Sequence, residues 1–230
     1  MLDPNFPNRL LESGDRRTME FIHFLSEDYS KRDLTEETDR CVAISGLEAR
    51  IARARGCQSR YGIFQPYLHR NLLWQRSDEK MKRIGYETQI VPSWLWMAYG
   101  GGIQFLNIPF GNVDWIDKLR FSEKGEPALT TDLGAFRNCS LEQRDRSYAI
   151  LDSSKVERGW IQYDIEASED LHAERCVVVG RTSHANEHGL RKYYILVVRP
   201  TSMDGEYRRV GVGCTQCDCI VRQRPKARVV

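Results

Sequence analysis

The chain of 230 residues contains no apolar run of about 18 residues, so its sequence predicts no membrane-spanning helix. No apolar segment follows a basic start at the N-terminus, and a secretory signal peptide is therefore not predicted either. The seven cysteines are an odd number, and without a secretion signal we expect free thiols in a reducing compartment. These absences together predict an intracellular, cytoplasmic protein.

An excess of charge of one sign is also missing. The sequence has 34 Lys and Arg residues against 32 Asp and Glu residues, which gives a formal net charge of +2. This balance argues against a general nucleic-acid or membrane surface, and neither partner is predicted. Only residues 222–228 are locally basic. We interpret them as a solvated tail, the alternative being an arm for nucleic acid or an acidic partner.

Common catalytic signatures are missing as well. No serine lies in a Gly-x-Ser-x-Gly turn. The glycines at 100–102 lack the Lys-Ser/Thr that a phosphate-binding loop requires. A group of acidic residues in loop-like segments is interpreted as solvated rather than as general acids or bases: Asp114, Asp117, Glu166, Glu169 and Asp170. The sequence indicates no catalytic residue and no cofactor.

Helical periodicity dominates the first third of the chain. An apolar stripe predicts a helix at about 16–31: Met19, Phe21, Ile22, Phe24 and Leu25. A second helix is predicted to end near Gly56. Its inward residues are predicted to be Val42, Ile44, Leu47 and Ile51. A third, shorter helix is predicted at Tyr67–Trp74, after Pro66.

From about residue 85 the pattern changes to runs of β-forming residues. Strands are predicted at 86–91, 103–106, 159–165, 176–180, 193–198 and 207–212, and residues 107–145 are predicted to form long loops and short strands. The run Tyr193–Val198 predicts a central strand buried on both faces. The predicted fold class is therefore α+β. We predict a helical region of about three helices at 1–84 and a β-rich region at 85–230, which forms an antiparallel sheet or partial barrel. The two regions are predicted to pack against each other as one compact unit.

Three groups of motifs resemble a known family. The first is Tyr29-Ser30-Lys31-Arg32-Asp33-Leu34-Thr35 with Asp39-Arg40 and Ala43-Ile44-Ser45-Gly46. The second is Leu72-Leu73-Trp74 with Pro92-Ser93-Trp94-Leu95-Trp96, and the third is Tyr207-Arg208-Arg209-Val210-Gly211. Together they resemble the region that follows the named domain in fungal heterokaryon-incompatibility (HET) proteins. The likeness covers residues 9–110 and returns at 193–212.

The resemblance implies a cytosolic fungal protein linked to nonself recognition, with the HET domain itself absent. On this hypothesis the chain is a stand-alone module that binds a small apolar or aromatic ligand, or a protein partner, and has a regulatory role. The alternative hypothesis is a small cofactor-independent enzyme of fungal secondary metabolism, a cyclase, isomerase or dehydratase with an aromatic pocket. A deep apolar pocket with a buried ionisable group beside the tryptophans would favour the enzyme.

Aromatic residues supply the first candidate site. The wall of a ligand pocket is predicted from Trp74, Trp94, Trp96 and Tyr99. On a strand, Trp94 and Trp96 would point to the same face. The alternative is that these side chains pack in the core, which Leu95 favours because the family has Ser at this position.

Charged residues supply the second candidate site, Arg32, Asp39 and Arg40. Asp28 and Arg32 are four residues apart and are predicted to pair on one helix face. The guanidinium group of Arg32 or of Arg40 would suit bidentate binding of an anionic group. The alternative is a set of salt bridges that joins two helices.

Histidine and cysteine spacings give a weaker candidate for a zinc site. Short links separate His184 from His188 and Cys214 from Cys217, as in many zinc sites. We interpret the four residues instead as loop histidines and free thiols, and predict no metal.

Overall fold

The computed structural model describes residues 5–32, 34–77, 81–87, 89–123, 125–168 and 170–230, with only the backbone at 224 and 225. Four α-helices lie in the first third: α1 Asn8–Glu12, α2 Asp15–Ser30, α3 Arg40–Arg55 and α4 Leu68–Leu72. Short 3-10 helices lie at Glu37–Asp39, Gln65–Tyr67, Trp96–Ala98, Leu171–Ala173 and Cys217–Cys219.

Sixteen strands are present within the described residues, and most of the longer ones follow residue 128. The short strands are β1 Ser59–Arg60, β2 Ile63–Phe64, β3 Trp74–Arg76, β4 Lys82–Arg83, β5 Tyr99–Gly100, β6 Ile103–Phe105, β7 Val113–Trp115 and β8 Arg120–Phe121. The others are β9 Leu129–Phe136, β10 Ser140–Gln143, β11 Tyr148–Leu151, β12 Glu157–Tyr163, β13 Arg175–Thr182, β14 Lys192–Pro200, β15 Glu206–Gln216 and β16 Ile220–Val229. The predicted α+β class is confirmed.

Helices α2 and α3 contribute to a small core that they share with Phe64 and Tyr67. Met19 and Ile22 of α2 and Ile51 of α3 are buried in it. As predicted, α3 ends before Gly56, which adopts the left-handed conformation that glycine accepts without strain. The predicted burial of Val42 is wrong, since its side chain is 57% exposed on the outer side of α3.

Two further predictions in the first half are corrected. The third helix is shorter than Tyr67–Trp74, because the chain turns into β3 at Trp74. No strand forms in the described parts of 86–91, and Thr88 lies outside them. Tyr86 donates its hydroxyl to the carbonyl of Met97 at 2.7 Å, and Ile90 is 77% exposed. The alternating residues therefore do not form the buried face of a strand.

The main sheet closes into a ring of five strands. Antiparallel pairing runs β15–β14–β13–β9–β16, and a short parallel pairing of β15 with β16 joins the two ends. Strands β12, β11 and β10 extend the sheet from the other side of β15. The strands predicted near 160, 177, 195 and 210 are confirmed. Strands β13, β14 and β15 are longer than their predicted spans, and β12 begins and ends two residues earlier than predicted.

The prediction that 222–228 is a solvated tail is wrong. The segment is part of strand β16, which pairs with β9. Ala227 and Val229 are buried, whereas Lys226 and Arg228 are exposed. This alternation is that of a half-buried strand, so the exposed basic residues mark its solvent face. Strand β9 was also missed. It has eight residues and lies within 107–145, where we predicted long loops and only short strands.

Both faces of the central strands are covered, as predicted for Tyr193–Val198. Leu196 and Val198 of β14 belong to the main core, while Ile195 and Val197 point into a second core on the opposite face. The main core also contains Leu72 and other residues of the helical region, so the two predicted regions share one interior. None of the described helices combines the length and apolar character required to cross a membrane.

Candidate functional site

The second and third motif groups of the HET resemblance meet around one buried arginine, Arg209 of β15. Its Nε and Nη2 donate to the two carboxylate oxygens of Asp164 at 3.0 and 3.2 Å. Nη1 donates to the carbonyl of Leu72 at 2.7 Å, and Nη2 donates to that of Trp74 at 2.6 Å. The guanidinium also lies 3.3 Å from the centre of the Trp74 ring. Arg209 therefore ties Leu72-Leu73-Trp74 to the sheet.

Ser93 attaches the other segment of the second motif group, Pro92–Trp96, to the same centre. Its Oγ accepts from the backbone N–H of Arg209 at 2.8 Å and donates to the carbonyl of Val230. The Tyr99 hydroxyl donates to the Ser93 carbonyl at 3.1 Å, and burial raises the pKa of Tyr99. These bonds hold residues 93–99 against β15.

The four candidate aromatic residues do not form one wall. Trp74 and Trp94 are fully buried and Tyr99 nearly so. Trp94 lies in a turn and packs against Phe121, with ring centres 6.2 Å apart, and its Nε1 has no hydrogen-bond partner among the described residues. Trp96 begins a 3-10 helix rather than continuing a strand, so the two indoles diverge. Trp74 and Trp94 are packed in the interior, whereas Tyr99 also lines a cavity beside Arg83 and Arg209.

Trp96 instead faces a groove between α2 and α3, which we call the helical groove. Its ring meets Tyr29 of α2 edge-on, with ring centres 6.2 Å apart. The groove has a volume of about 200 Å³. Its apolar lining consists of Ile22, Leu25, Ala43, Ile44, Leu47, Ile51, Phe64, Trp96 and Met97. Of the predicted site residues, only Arg32 and Trp96 line it.

Most polar groups of the helical groove already have partners. The predicted pair forms, with Arg32 Nη2 2.5 Å from Asp28 Oδ2. Glu48 accepts a hydrogen bond from the backbone N–H of Gly62 at 2.7 Å. The buried hydroxyl of Tyr29 has no partner among the described residues, and burial raises the pKa of this phenol. An unpaired buried hydroxyl is unusual, and this one belongs to a residue that lines the groove beside its apolar side chains.

Asp39 and Arg40 do not form the predicted salt bridges between helices. Arg40 is 3% exposed, and its Nη1 donates to the carbonyl of Ser30 at 3.3 Å. Within the described part of the chain, Arg40 Nε has no hydrogen-bond partner, and Asp39 forms no ion pair. An ion pair between α2 and α3 does form at their other ends, where Arg55 Nη2 lies 2.5 Å from Asp15 Oδ1.

The four candidate zinc ligands are not assembled. His184 and His188 lie in the loop between β13 and β14, while Cys214 is buried in β15 and Cys217 begins a 3-10 helix. Within the described ranges, no three His, Cys, Asp or Glu side chains are grouped to hold a metal ion. The loop position of the histidines was predicted correctly.

Burial divides the cysteines into two groups, and thiol labelling can measure this division. Cys41, Cys57 and Cys217 are partly exposed, whereas Cys139, Cys176, Cys214 and Cys219 are buried. Burial raises the pKa of Cys176 to about 12. We expect dithionitrobenzoate to modify only the three partly exposed thiols of the native protein rapidly, and all seven after denaturation. Rapid modification of all seven in the native state would contradict this burial.

Two buried carboxylates were missed by the sequence analysis. Asp164 pairs with Arg209, and Glu174 binds Arg199 Nη2 at 2.6 Å and the Tyr163 hydroxyl at 2.8 Å. In the sequence, the one available sign of a buried carboxylate was the position of Asp164 near the end of the predicted strand 159–165. Of the acids predicted to be solvated, Asp114 is half-exposed and pairs with Arg181 and Arg191. Glu169 lies outside the described residues.

Comparison with known proteins gives no match. No family model fits this sequence, and neither the curated proteins nor the solved structures contain one that is similar to it. The likeness to HET proteins therefore rests on the motifs quoted above.

Proposed function

We propose that this protein is a ligand-binding, regulatory module of the kind that the HET resemblance implies, related to fungal nonself recognition. Its site is the helical groove, and its ligand is a small neutral molecule with an aromatic ring. The supporting observation is a largely apolar groove lined by Tyr29, whose buried hydroxyl has no partner among the described residues.

The volume of the groove limits the ligand. An apolar cavity of about 150 Å³ in another protein holds benzene, so a groove of this size suits one substituted ring. Ile44 and Leu47 of α3 supply its apolar contacts, and Trp96 supplies an aromatic face. A hydroxyl or carbonyl on the ring would satisfy Tyr29.

The charges of the groove favour a neutral ligand. Arg32 is balanced by Asp28 at 2.5 Å, and Glu48 adds a negative charge to the lining. An anionic ligand would have to displace Asp28 from Arg32 and approach Glu48. A neutral phenol meets neither obstacle and can both donate to and accept from Tyr29.

Binding of 4-fluorophenol, followed by ¹⁹F NMR, tests the proposal. Ala43 lies on the exposed edge of the groove, so Ala43→Phe should fill it without leaving a cavity in the core. We expect saturable binding to the unmodified protein and a loss of about tenfold or more in affinity for Ala43→Phe, because the bulky ring occupies the site.

Ala49→Phe is the matched control, since Ala49 is also exposed on α3 but does not line the groove. It should bind 4-fluorophenol with unchanged affinity. Equal binding by the two variants would contradict the proposed site, and so would an unmodified protein that does not bind the probe. The carboxylates that line the groove give the enzyme hypothesis no support, because among the described residues Asp28 and Glu48 are already bonded to protein groups.

A further inference from the structure

A second cavity, at one edge of the five-stranded ring, is lined by four arginines. It has a volume of about 230 Å³ and lies where residues 164–166 leave β12 and pass the β14 and β15 strands. We call it the arginine pocket. Its basic residues are Arg83 of β4, Arg199 of β14, and Arg208 and Arg209 of β15.

Buried carboxylates hold two of these arginines in place. Arg199 Nη2 lies 2.6 Å from Glu174, whose side chain is fully buried. Arg209 is bound by Asp164, which is itself almost fully buried. Because these guanidinium groups are fixed by their partners, they lose little conformational freedom when a ligand binds.

The other two arginines are available to a ligand. The Arg208 side chain is exposed and makes no hydrogen bond or ion pair within the described part of the chain. Arg83 is also exposed, and its Nη2 makes one long bond of 3.3 Å to the carbonyl of Val91. Their planar guanidinium groups can each donate two parallel hydrogen bonds to a tetrahedral oxyanion.

The charge of the arginine pocket is positive even after every acid is counted. Asp164 and Glu166 line it, and Glu174 neutralises Arg199 from behind. Four arginines against these three carboxylates leave one positive charge, on a face where Arg208 is unpaired among the described residues. The exposed Glu166 is the one acid there with no described partner, and it would oppose an anion.

We propose that the arginine pocket binds a phosphate group, either as free inorganic phosphate or as part of a phosphate monoester. Arg208 and Arg83 bind its oxygens directly. Arg199, held by Glu174, and Arg209, held by Asp164, supply fixed positive charge beside them. This site is separate from the helical groove, and it requires no ligand there.

Calorimetric titration with inorganic phosphate, at an ionic strength kept constant with chloride, tests the site. We expect saturable binding at one site per chain. Arg208→Gln and Arg83→Gln should each weaken it about tenfold or more, because each removes charge-assisted hydrogen bonds. Glu166→Gln should strengthen it, because a repulsive charge is removed. Arg222→Gln, which changes an exposed arginine of β16 outside the pocket, should have no effect.

A parallel titration with phenyl phosphate distinguishes the two sources of the phosphate group. Tighter binding than that of inorganic phosphate supports the site and assigns it to monoesters, whereas equal or weaker binding supports it and assigns it to free phosphate. Heat that does not saturate, or the same affinity in Arg208→Gln and Arg222→Gln, would overturn the proposal. Binding of 4-fluorophenol should be unchanged in Arg208→Gln, so failure of one site is distinguishable from failure of the other.

Discussion

Replacement of Arg209 by Met should destabilise this protein more than replacement of any exposed arginine. The change leaves Asp164 buried without its cation, and it removes the donors to the carbonyls of Leu72 and Trp74. Breaking a buried pair by removing one partner costs about 3–5 kcal/mol, a large part of the roughly 5–15 kcal/mol by which a native domain is stable. Urea unfolding monitored by tryptophan fluorescence measures the difference.

Two further variants give this prediction its controls. Arg222→Met, on the solvent face of β16, should change the free energy of unfolding by less than about 0.5 kcal/mol. Adding Asp164→Leu to Arg209→Met should recover part of the loss, because no uncompensated charge then remains buried. If Arg209→Met were as stable as Arg222→Met, Arg209 would not be the link between the motif segments.

Acid should destabilise the protein through His23, a partly buried residue of α2. Its ring stacks on Phe105, with ring centres 3.7 Å apart, and its Nε2 lies 2.8 Å from Asn71 Oδ1. Desolvation lowers the pKa of His23 to about 4, a shift that the hydrogen bond to Asn71 opposes and the nearby charge of Arg70 reinforces. The native state therefore holds a neutral imidazole.

The sign of the effect follows from the two pKa values. In the unfolded chain His23 is protonated as the pH falls below 6.5, whereas in the native state it is protonated only near pH 4. Native stability should therefore fall across this window and be unaffected by His23 above it. At pH 4.5 the loss due to His23 should be about 2–3 kcal/mol, at about 1.4 kcal/mol per unit of pKa shift.

His23→Gln isolates this contribution, because glutamine can still bond to Asn71 but does not titrate. The free energy of unfolding should fall less between pH 7 and pH 4.5 in His23→Gln than in the unmodified protein, by about the same 2–3 kcal/mol. His172→Gln, at an exposed histidine, should follow the unmodified protein. Parallel pH curves for all three proteins would show that His23 titrates normally in the folded state.

Local chemistry was sufficient to predict the elements that depend on neighbours in sequence. Helix α3 ends before Gly56 because that position needs a left-handed backbone, and Asp28 pairs with Arg32 because they are one turn apart. The continuous apolar run of Tyr193–Val198 could be satisfied only by a strand covered on both faces. For the helix end and the ion pair the determining interactions lie within a few residues of each other, and for the strand the apolar run itself carries the signal.

The same reasoning failed where distant partners decide the structure. Strand β16 forms because β9 offers it hydrogen bonds and a buried face for Ala227 and Val229, and its basic residues concealed this pattern. Residues 86–91 alternate like a strand, yet the hydroxyl of Tyr86 bonds to Met97 instead. Alternation predicts a strand only if a partner strand is present, and the local sequence does not reveal that partner.

The sequence by itself determined which aromatic and charged residues the chain contains, but only the tertiary structure decided which of them are accessible. It singled out the tryptophans, and the structure shows that Trp96, although buried like Trp94, lines the helical groove while Trp94 does not. It placed Arg208 and Arg209 side by side, and the pleat of β15 sends one to solvent and the other to Asp164. Accessibility is a property of the whole packed chain, because a side chain is covered by residues far from it in sequence.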